Sequence, residues 1–319
     1  MSKGDKQMKE EREKFKYSIL MSVYYKENPE WLKISIDSML NQTIKANEFI
    51  IVEDGKLTEK LDEVIEYYKE KYSNLFKIIK LEKNMGLGPA LEIGVNACTN
   101  EWIARMDSDD YSVPDRCEKQ INKILEDKEL DIVGSSIAEF ENSIENIISY
   151  RNLPETNEEI YKYAKRRNPF GHPSVMLKKS KVLEAGNYRS YYLCEDYDMW
   201  VRMLECNAKC YNFQEILVYM RISKDFYARR GGLKYLKSIL KFKKELRNKK
   251  FYSYKDYIIS SGSHVIVCIL PNSIRDFVYR KLLRKSPKKN GGYLLNAKWF
   301  NFNYYTNLPG WKILKKMYW

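Results

Sequence analysis

Hydrophobic positions in the first hundred residues alternate between two periods. Residues 17–24 (YSILMSVY) form a short apolar, β-rich run, whereas Pro29 to Leu40 places Trp31, Leu32, Ile34, Ile36, Met39 and Leu40 at helical spacing. The pattern then repeats. Residues 48–53 (EFIIVE) read as a second strand closed by Asp54-Gly55, and Thr58 caps a helix lined by Leu61, Val64, Ile65 and Tyr68. Residues 76–81 (FKIIKL) read as a third strand, with a glycine turn at 84–88 before a helix from Pro89 to Ala97. Residues 102–106 (WIARM) read as a fourth. This βαβαβαβ order predicts an α/β fold, a doubly wound and mostly parallel sheet with helices on both faces. In such sheets ligands bind outside the carboxyl ends of the strands. Tyr24, Asp54 and Asp107 each follow such an end.

The second half is less periodic. Ile132–Phe140 and Ile147–Arg151 read as strands of a hairpin or an edge pair, and Pro154 precedes a capped helix start. Residues 170–177 read as a turn into a strand, and Cys194 opens a helix. Beyond about residue 225 the chain becomes helical, amphipathic and basic, with no internal repeat. The expected organisation is a charged, frayed leader at 1–16, a main domain at 17–228 in two halves (17–112 and 113–228), and a helical basic extension at 229–319.

Charge adds one fact to this picture. The net charge is +13 over 319 residues. Residues 234–250 carry eight Lys/Arg against one Glu, and residues 275–289 carry seven against one Asp. These two stretches account for the whole excess, so the remainder is neutral in sum. Partners of the extension should be polyanionic, an anionic membrane surface first among them. The alternative for these helices is packing against the catalytic domain with their lysines in solvent. Nucleic acid is excluded as a partner because it would need a basic face on the neutral part. Six scattered cysteines and two histidines favour neither a disulfide framework nor a zinc site. With no signal peptide and no run able to span a bilayer, the expected location is the cytoplasm, peripheral to the inner face of the membrane.

Candidate chemistry starts at residues 103–110 (IARMDSDD), where three carboxylates crowd four positions. Such crowding calls for a counter-charge. A hard divalent cation, Mn²⁺ or Mg²⁺, takes oxygen ligands and completes its shell with water and phosphate. An acidic turn without a ligand is the plainer reading. Asp54, at an earlier strand end, offers an acceptor for a uracil N3–H or simply closes an Asp-Gly turn. Residues 194–198 (CEDYD) start a helix with three acids, any of which could serve as general base or merely favour the helix dipole.

Taken in order, residues 17–230 resemble the family 2 glycosyltransferases of bacterial capsule and exopolysaccharide clusters, which have the GT-A fold. The matching pieces are SILMSVYYKENPEWLKISIDSMLNQT, FIIVEDG, LEKNMGLGPALEIGV, IARMDSDDYSVPDR, NPFGHPSVM and EDYDMWVRM. The resemblance implies an inverting transfer of a hexose from a UDP-sugar to a hydroxyl of a glycan or lipid-linked acceptor. Position by position, Ser22 and Tyr24 match residues at the nucleotide, with Ser22 where many members have proline. Asp54 matches the base-recognising acid. Asp107 and Asp109 match the D-x-D that holds ribose and metal, with Asp109 the better metal ligand. Asp196 matches the catalytic base, beside Glu195. His172 would line the acceptor side, or be a satisfied structural histidine. Arg230, with Arg229, would meet the diphosphate, or begin a solvated basic helix. Two other classes stand beside this one. A sugar-nucleotide nucleotidyltransferase lacks support because residues 22–30 offer no glycine-rich phosphate loop. A non-enzymatic polyanion-binding protein would rest on the basic, tyrosine-rich tail.

Overall fold

The computed structural model describes residues 3–223, 226, 228–277 and 284. The chain divides into two compact units, Met1–Ser286 and Pro287–Trp319, and all that is described lies in the first. The later part of the expected basic extension, including most of 275–289, falls outside the described residues.

In chain order the elements are α1 (Lys3–Lys14), β1 (Tyr17–Val23), α2 (Pro29–Leu40), β2 (Glu48–Glu53), α3 (Glu59–Lys71), β3 (Phe76–Lys80), α4 (Leu87–Ala97) and β4 (Trp102–Arg105). There follow β5 (Tyr111–Ser112), α5 (Arg116–Glu126), β6 (Leu130–Phe140), β7 (Ile147–Arg151), α6 (Asn157–Ala164), β8 (Met176–Lys178), α7 (Lys179–Glu184), α8 (Glu195–Glu205) and β9 (Lys209–Arg221). Helices α9 (Gly232–Asn248), α10 (Tyr254–Ile269) and α11 (Asn272–Phe277) close the described chain. Short 3₁₀ turns lie at His172–Ser174 and Ala228–Arg230.

One mixed sheet runs β3-β2-β1-β4-β8-β6-β9-β5, with β7 paired to β6. The β3-β2-β1-β4 half is parallel, as the βαβ alternation requires. Strand β8 runs antiparallel to β4 and β6 and joins the halves. Period-2 alternation splits the parallel strands between two cores. Leu20, Ile50 and Val52 face the layer of α4 and α8, whereas Ile19, Met21, Phe49 and Ile51 face α2, α3 and α5. The β6–β7 pair is an antiparallel hairpin, and α6 starts with a capping box of Thr156 and Glu159.

Two expectations change. Residues 3–14, expected to be frayed, are helical, and Arg12 pairs with Glu118 at 3.0 Å. The run is rich in Lys and Glu, which are good helix formers. Helix α9 turns its apolar stripe inward: Tyr235, Ile239, Phe242 and Leu246 are buried in the α4/α8 core. Of the two expected roles, α9 therefore takes packing on the catalytic part. Helix α10 is tied down by Arg166–Asp256 at 2.6 Å and leaves Ile258, Ile259, Ile266 and Ile269 exposed. Among the described residues no helix is long and apolar enough to cross a membrane.

Candidate active site

Strands β1, β2 and β4 are mutually parallel, so Tyr24, Asp54 and Asp107 emerge at one edge of the sheet. The opposite wall is the start of α8, with Glu195 and Asp196 in its first turn. The two walls touch at Gly88 in α4. A Cβ there would lie 2.5 Å from the Arg189 carbonyl and 3.5 Å from the Glu195 Cβ, so only glycine permits this approach.

Asp54 is buried and fastens the loop ahead of α4. Its Oδ1 accepts from the Met85 N–H at 2.6 Å, its Oδ2 from the Gly86 N–H at 3.0 Å, and its carbonyl from the Asn84 side-chain amide at 3.1 Å. Gly55 follows at φ +85°, pressed against the Asn84 backbone. This carboxylate thus braces the wall of the nucleotide-side loop, with both oxygens already accepting backbone donors.

The acidic turn is held by two arginines. Arg105, buried at the end of β4, pairs with Asp107, and its Nε and Nη1 are buried without a partner. Ser35 donates to the Asp107 carbonyl at 2.6 Å. Arg221, at the end of β9, donates its Nε to the Asp109 carbonyl at 2.9 Å and its backbone N–H to Asp110 Oδ1 at 2.7 Å. Its guanidinium lies between the Trp31 and Phe140 rings, 4.4 and 4.5 Å from their centroids. A fourth acid joins the cluster: Glu27 accepts from Ser108 Oγ at 2.5 Å. Burial, then Glu27 and Asp107, push the Asp109 carboxyl up to about 8, and Arg221 only partly offsets this. Burial and the neighbouring acids also push Asp110 well above the usual carboxylate range, and its Oδ2 is buried without a partner. Asp110 is thus braced through one oxygen by Arg221, while Asp107 is paired with Arg105. Among the described residues no group of three or more His, Cys, Asp or Glu is arranged to hold a metal.

Across the cleft, Asp196 Oδ2 accepts from the Asn168 amide at 2.5 Å, and Oδ1 from the Tyr197 N–H at 2.7 Å. Burial raises its carboxyl, and Asn168, the Tyr197 N–H, Arg151 and Arg230 lower it in part. Glu195 is pushed by burial to about 7, and its Oε2 is buried and unpartnered. Arg105 lies within electrostatic reach of both Asp107 and Glu195, which makes it the link between the walls.

The remaining candidates separate. Tyr24 is exposed, and burial and Glu27 raise its hydroxyl while Arg229 opposes them, which sets it between the acidic turn and the 228–230 turn. Ser22 is paired with Val52 in the β1–β2 ladder, one residue before the end of β1. His172 sits against Tyr188 and Trp200, its Nε2 3.0 Å from the Tyr188 hydroxyl, and burial beside Arg105 keeps it neutral. Arg230 stacks on Phe226 at 4.1 Å and contributes its charge to the surroundings of Asp196. Sequence reasoning missed Glu27, Arg105, Arg221, Asn168 and Arg151. Glu27, Arg105 and Asn168 carried a signal, each lying within a quoted matching piece.

The family model for glycosyl transferase family 2 matches residues 18–185. An Escherichia coli UDP-Gal:alpha-D-GlcNAc-diphosphoundecaprenol beta-1,3-galactosyltransferase is 37% identical over 85% of this chain and 97% of its own. The amylovoran biosynthesis glycosyltransferase AmsE of Erwinia amylovora is 33% identical over 83% of this chain and 98% of its own. Among solved structures, the mannosyltransferase PcManGT of Pyrobaculum calidifontis, in complex with GDP-Man and Mn²⁺, aligns over 96% of this chain and 85% of its own. Its TM-score is 0.56 at 10% identity, a likeness of fold.

Proposed function

Since the chain belongs to glycosyl transferase family 2, we propose that it moves a hexose from a UDP-sugar to a hydroxyl of a lipid-linked glycan, with inversion at C1, in capsular or exopolysaccharide synthesis. The observation that supports this best is the cleft itself. An unsatisfied carboxylate turn stands at the strand ends, and a buried carboxylate pair stands opposite, with the partly unpartnered Arg105 between them.

A divalent cation, Mn²⁺ or Mg²⁺, fits the turn. The raised Asp109 carboxyl and the orphaned Asp110 oxygen record negative charge that the protein leaves uncompensated. Asp109 and Asp107 would hold the cation, with water and diphosphate oxygens filling the other positions. When bound, it would neutralise the charge that develops on the departing diphosphate. Tyr24 and the loop fastened by Asp54 form the nucleotide side. The acceptor oxygen attacks C1 from the face opposite UDP; the O–C1 bond forms as the C1–O(phosphate) bond breaks, and the acceptor proton passes to Asp196. Asn168 holds Asp196 in place for that transfer. A second assignment of the base is favoured by one observation: Glu195 has a buried unpartnered oxygen and an ionisation near neutrality, both suited to a general base. Attachment to an anionic membrane on the cytoplasmic side would use the exposed isoleucines of α10 beside the lysines of α9.

The test is UDP release from UDP-galactose, UDP-glucose or UDP-GlcNAc, with Mn²⁺ and a GlcNAc-diphospho-alkyl acceptor. Release that depends on acceptor and is abolished in Asp196→Asn supports the proposal. Absence of both UDP release and UDP binding would overturn it.

A further inference from the structure

Glu27 stands on the nucleotide side of the cleft, and the transfer step above leaves it unused. It closes the turn that carries Tyr24: the Glu27 N–H donates to the Tyr24 carbonyl at 3.0 Å. Its carboxylate is aimed from a fixed base. Oε1 accepts from the Asn28 N–H at 2.9 Å, and Asn28 in turn caps α2, its Oδ1 accepting from the Glu30 and Trp31 N–H groups. Oε2 accepts from Ser108 Oγ at 2.5 Å. Ser108 lies between Asp107 and Asp109 and is buried, so its hydroxyl depends on a protein acceptor. The other bonds to the acidic turn come from elsewhere: Ser35 on α2 holds the Asp107 carbonyl, and Arg221 on β9 holds Asp109 and Asp110. The Glu27 bond joins that turn to the loop of Tyr24.

We infer that Glu27 is a positioning residue that couples the two parts of the donor subsite, so that nucleoside and cation favour each other through the protein as well as through the diphosphate between them. This role rests on the transferase reading and concerns how its donor is assembled. Asp107 repels Glu27, so the link to Ser108 is made against like charge. A divalent cation held at Asp107 and Asp109 would offset that repulsion and favour the arrangement in which Glu27 bonds Ser108. Glu27 and Tyr24 are the two ends of one turn, so fixing the carboxylate fixes the tyrosine. Linkage makes the effect reciprocal: a nucleoside that orders the Tyr24 loop must tighten the cation by the same factor.

A charged acceptor makes the stronger bond to Ser108, but it adds a fourth charge to the acidic cluster. An amide at position 27 would accept the same hydroxyl without that cost. What the carboxylate adds beyond an amide is a response to a cation at the turn.

The test measures Mn²⁺ binding to the full-length protein, from the electron paramagnetic resonance signal of the free ion, with and without uridine. Uridine has no phosphate to bridge to the cation, so their mutual effect runs through protein groups. In the wild type, saturating uridine should lower the Mn²⁺ Kd about fivefold, the lower end of couplings between sites. Ser108→Ala and Glu27→Ala should each bring that ratio to about one, and the double variant should change it no further. Glu27→Gln, whose amide oxygen can still accept from Ser108, should keep part of it. Differential scanning fluorimetry checks that each variant is folded, and Ser108→Ala, which removes one hydroxyl, decides the matter if a change at 27 does not fold. A wild-type ratio near one overturns the coupling, as do folded variants that bind Mn²⁺ more weakly but keep the wild-type ratio. Calorimetric titration of the wild type with UDP and Mn²⁺ tests the reading beneath it. No UDP binding overturns the transferase reading as well, whereas UDP binding with a uridine ratio of one overturns the role of Glu27 alone.

Discussion

Two carboxylates sit two residues apart in the first turn of α8, and they should respond oppositely to the same change. Asp198 is buried between two arginines: Arg189 Nε and Arg202 Nε each donate to it at 2.9 Å. Arg202 also donates to the Asn187 carbonyl at 2.6 Å and is itself buried. Asp198→Asn removes the charge and leaves Arg202 as an uncompensated buried cation, a loss of about 3–5 kcal/mol. At roughly 2–4 °C per kcal/mol for a chain somewhat smaller than this one, the melting temperature should fall by about 6–20 °C. Asp196 differs. Burial raises its carboxyl, so the ionised form is less stable in the fold than in the unfolded chain. With the folded pKa above the unfolded one, the fold binds more protons between the two values, and stability declines as pH rises through that window. Asn mimics the neutral form, so Asp196→Asn should leave the melting temperature unchanged or raise it at pH 7.5, while transfer falls by at least about a hundredfold through loss of the base. Differential scanning fluorimetry and UDP release on the same preparations separate the two outcomes. The reasoning fails if Asp196→Asn melts well below the wild type, or if Asp198→Asn melts with it.

Three further outcomes follow from other parts of the fold. Lys243 is fully buried, donates to the Ser260 carbonyl and lies 2.6 Å from His264 Nδ1, and burial lowers it to about 7. The unfolded chain binds the extra proton between pH 7 and 10.5, so stability should rise with pH over that window. Lys243→Met, which removes a penalty of roughly 3–5 kcal/mol against two lost hydrogen bonds, should be about 1–3 kcal/mol more stable in urea at pH 7, with the advantage shrinking by pH 9; a variant less stable at both pH values contradicts this. Gly55→Ala places a Cβ 2.5 Å from the Asn84 nitrogen at φ +85°, so it should cost about 2 kcal/mol or more and weaken UDP binding by calorimetry, because the loop held by Asp54 must move. Chelation with EDTA should abolish transfer and Mn²⁺ should restore it, whereas Asp109→Asn should not be rescued; activity that survives chelation would argue against a cation at the turn.

The alternating half of the fold was legible because each strand and helix there shows its own period, and parallel pairing then places Tyr24, Asp54 and Asp107 at one edge without further information. The start of α8 was legible from its acids. The groups that complete the site come from far away in the chain: Glu27 meets Ser108 across 81 positions, and Arg221 meets Asp110 across 111. No local pattern announces such pairings, and an arginine at a strand end looks the same whether it faces solvent or an acidic turn. Strand β5 is two residues long, below the reach of any period. The stripe of α9 was ambiguous because a membrane and a protein core select the same spacing. Asp54 shows the converse: its position was anticipated, but its bonds to Met85 and Gly86 depend on how α4 is entered.

The central claim is a single displacement at the sugar carbon, driven by a base at the start of α8. Proton NMR of the product formed from an α-linked UDP-hexose and the GlcNAc-diphospho-alkyl acceptor reads that event directly. A newly formed β-linkage, absent with Asp196→Asn, is the result the account requires. An α-linkage would mean retention of configuration, which a one-step attack opposite UDP cannot give, and would contradict it.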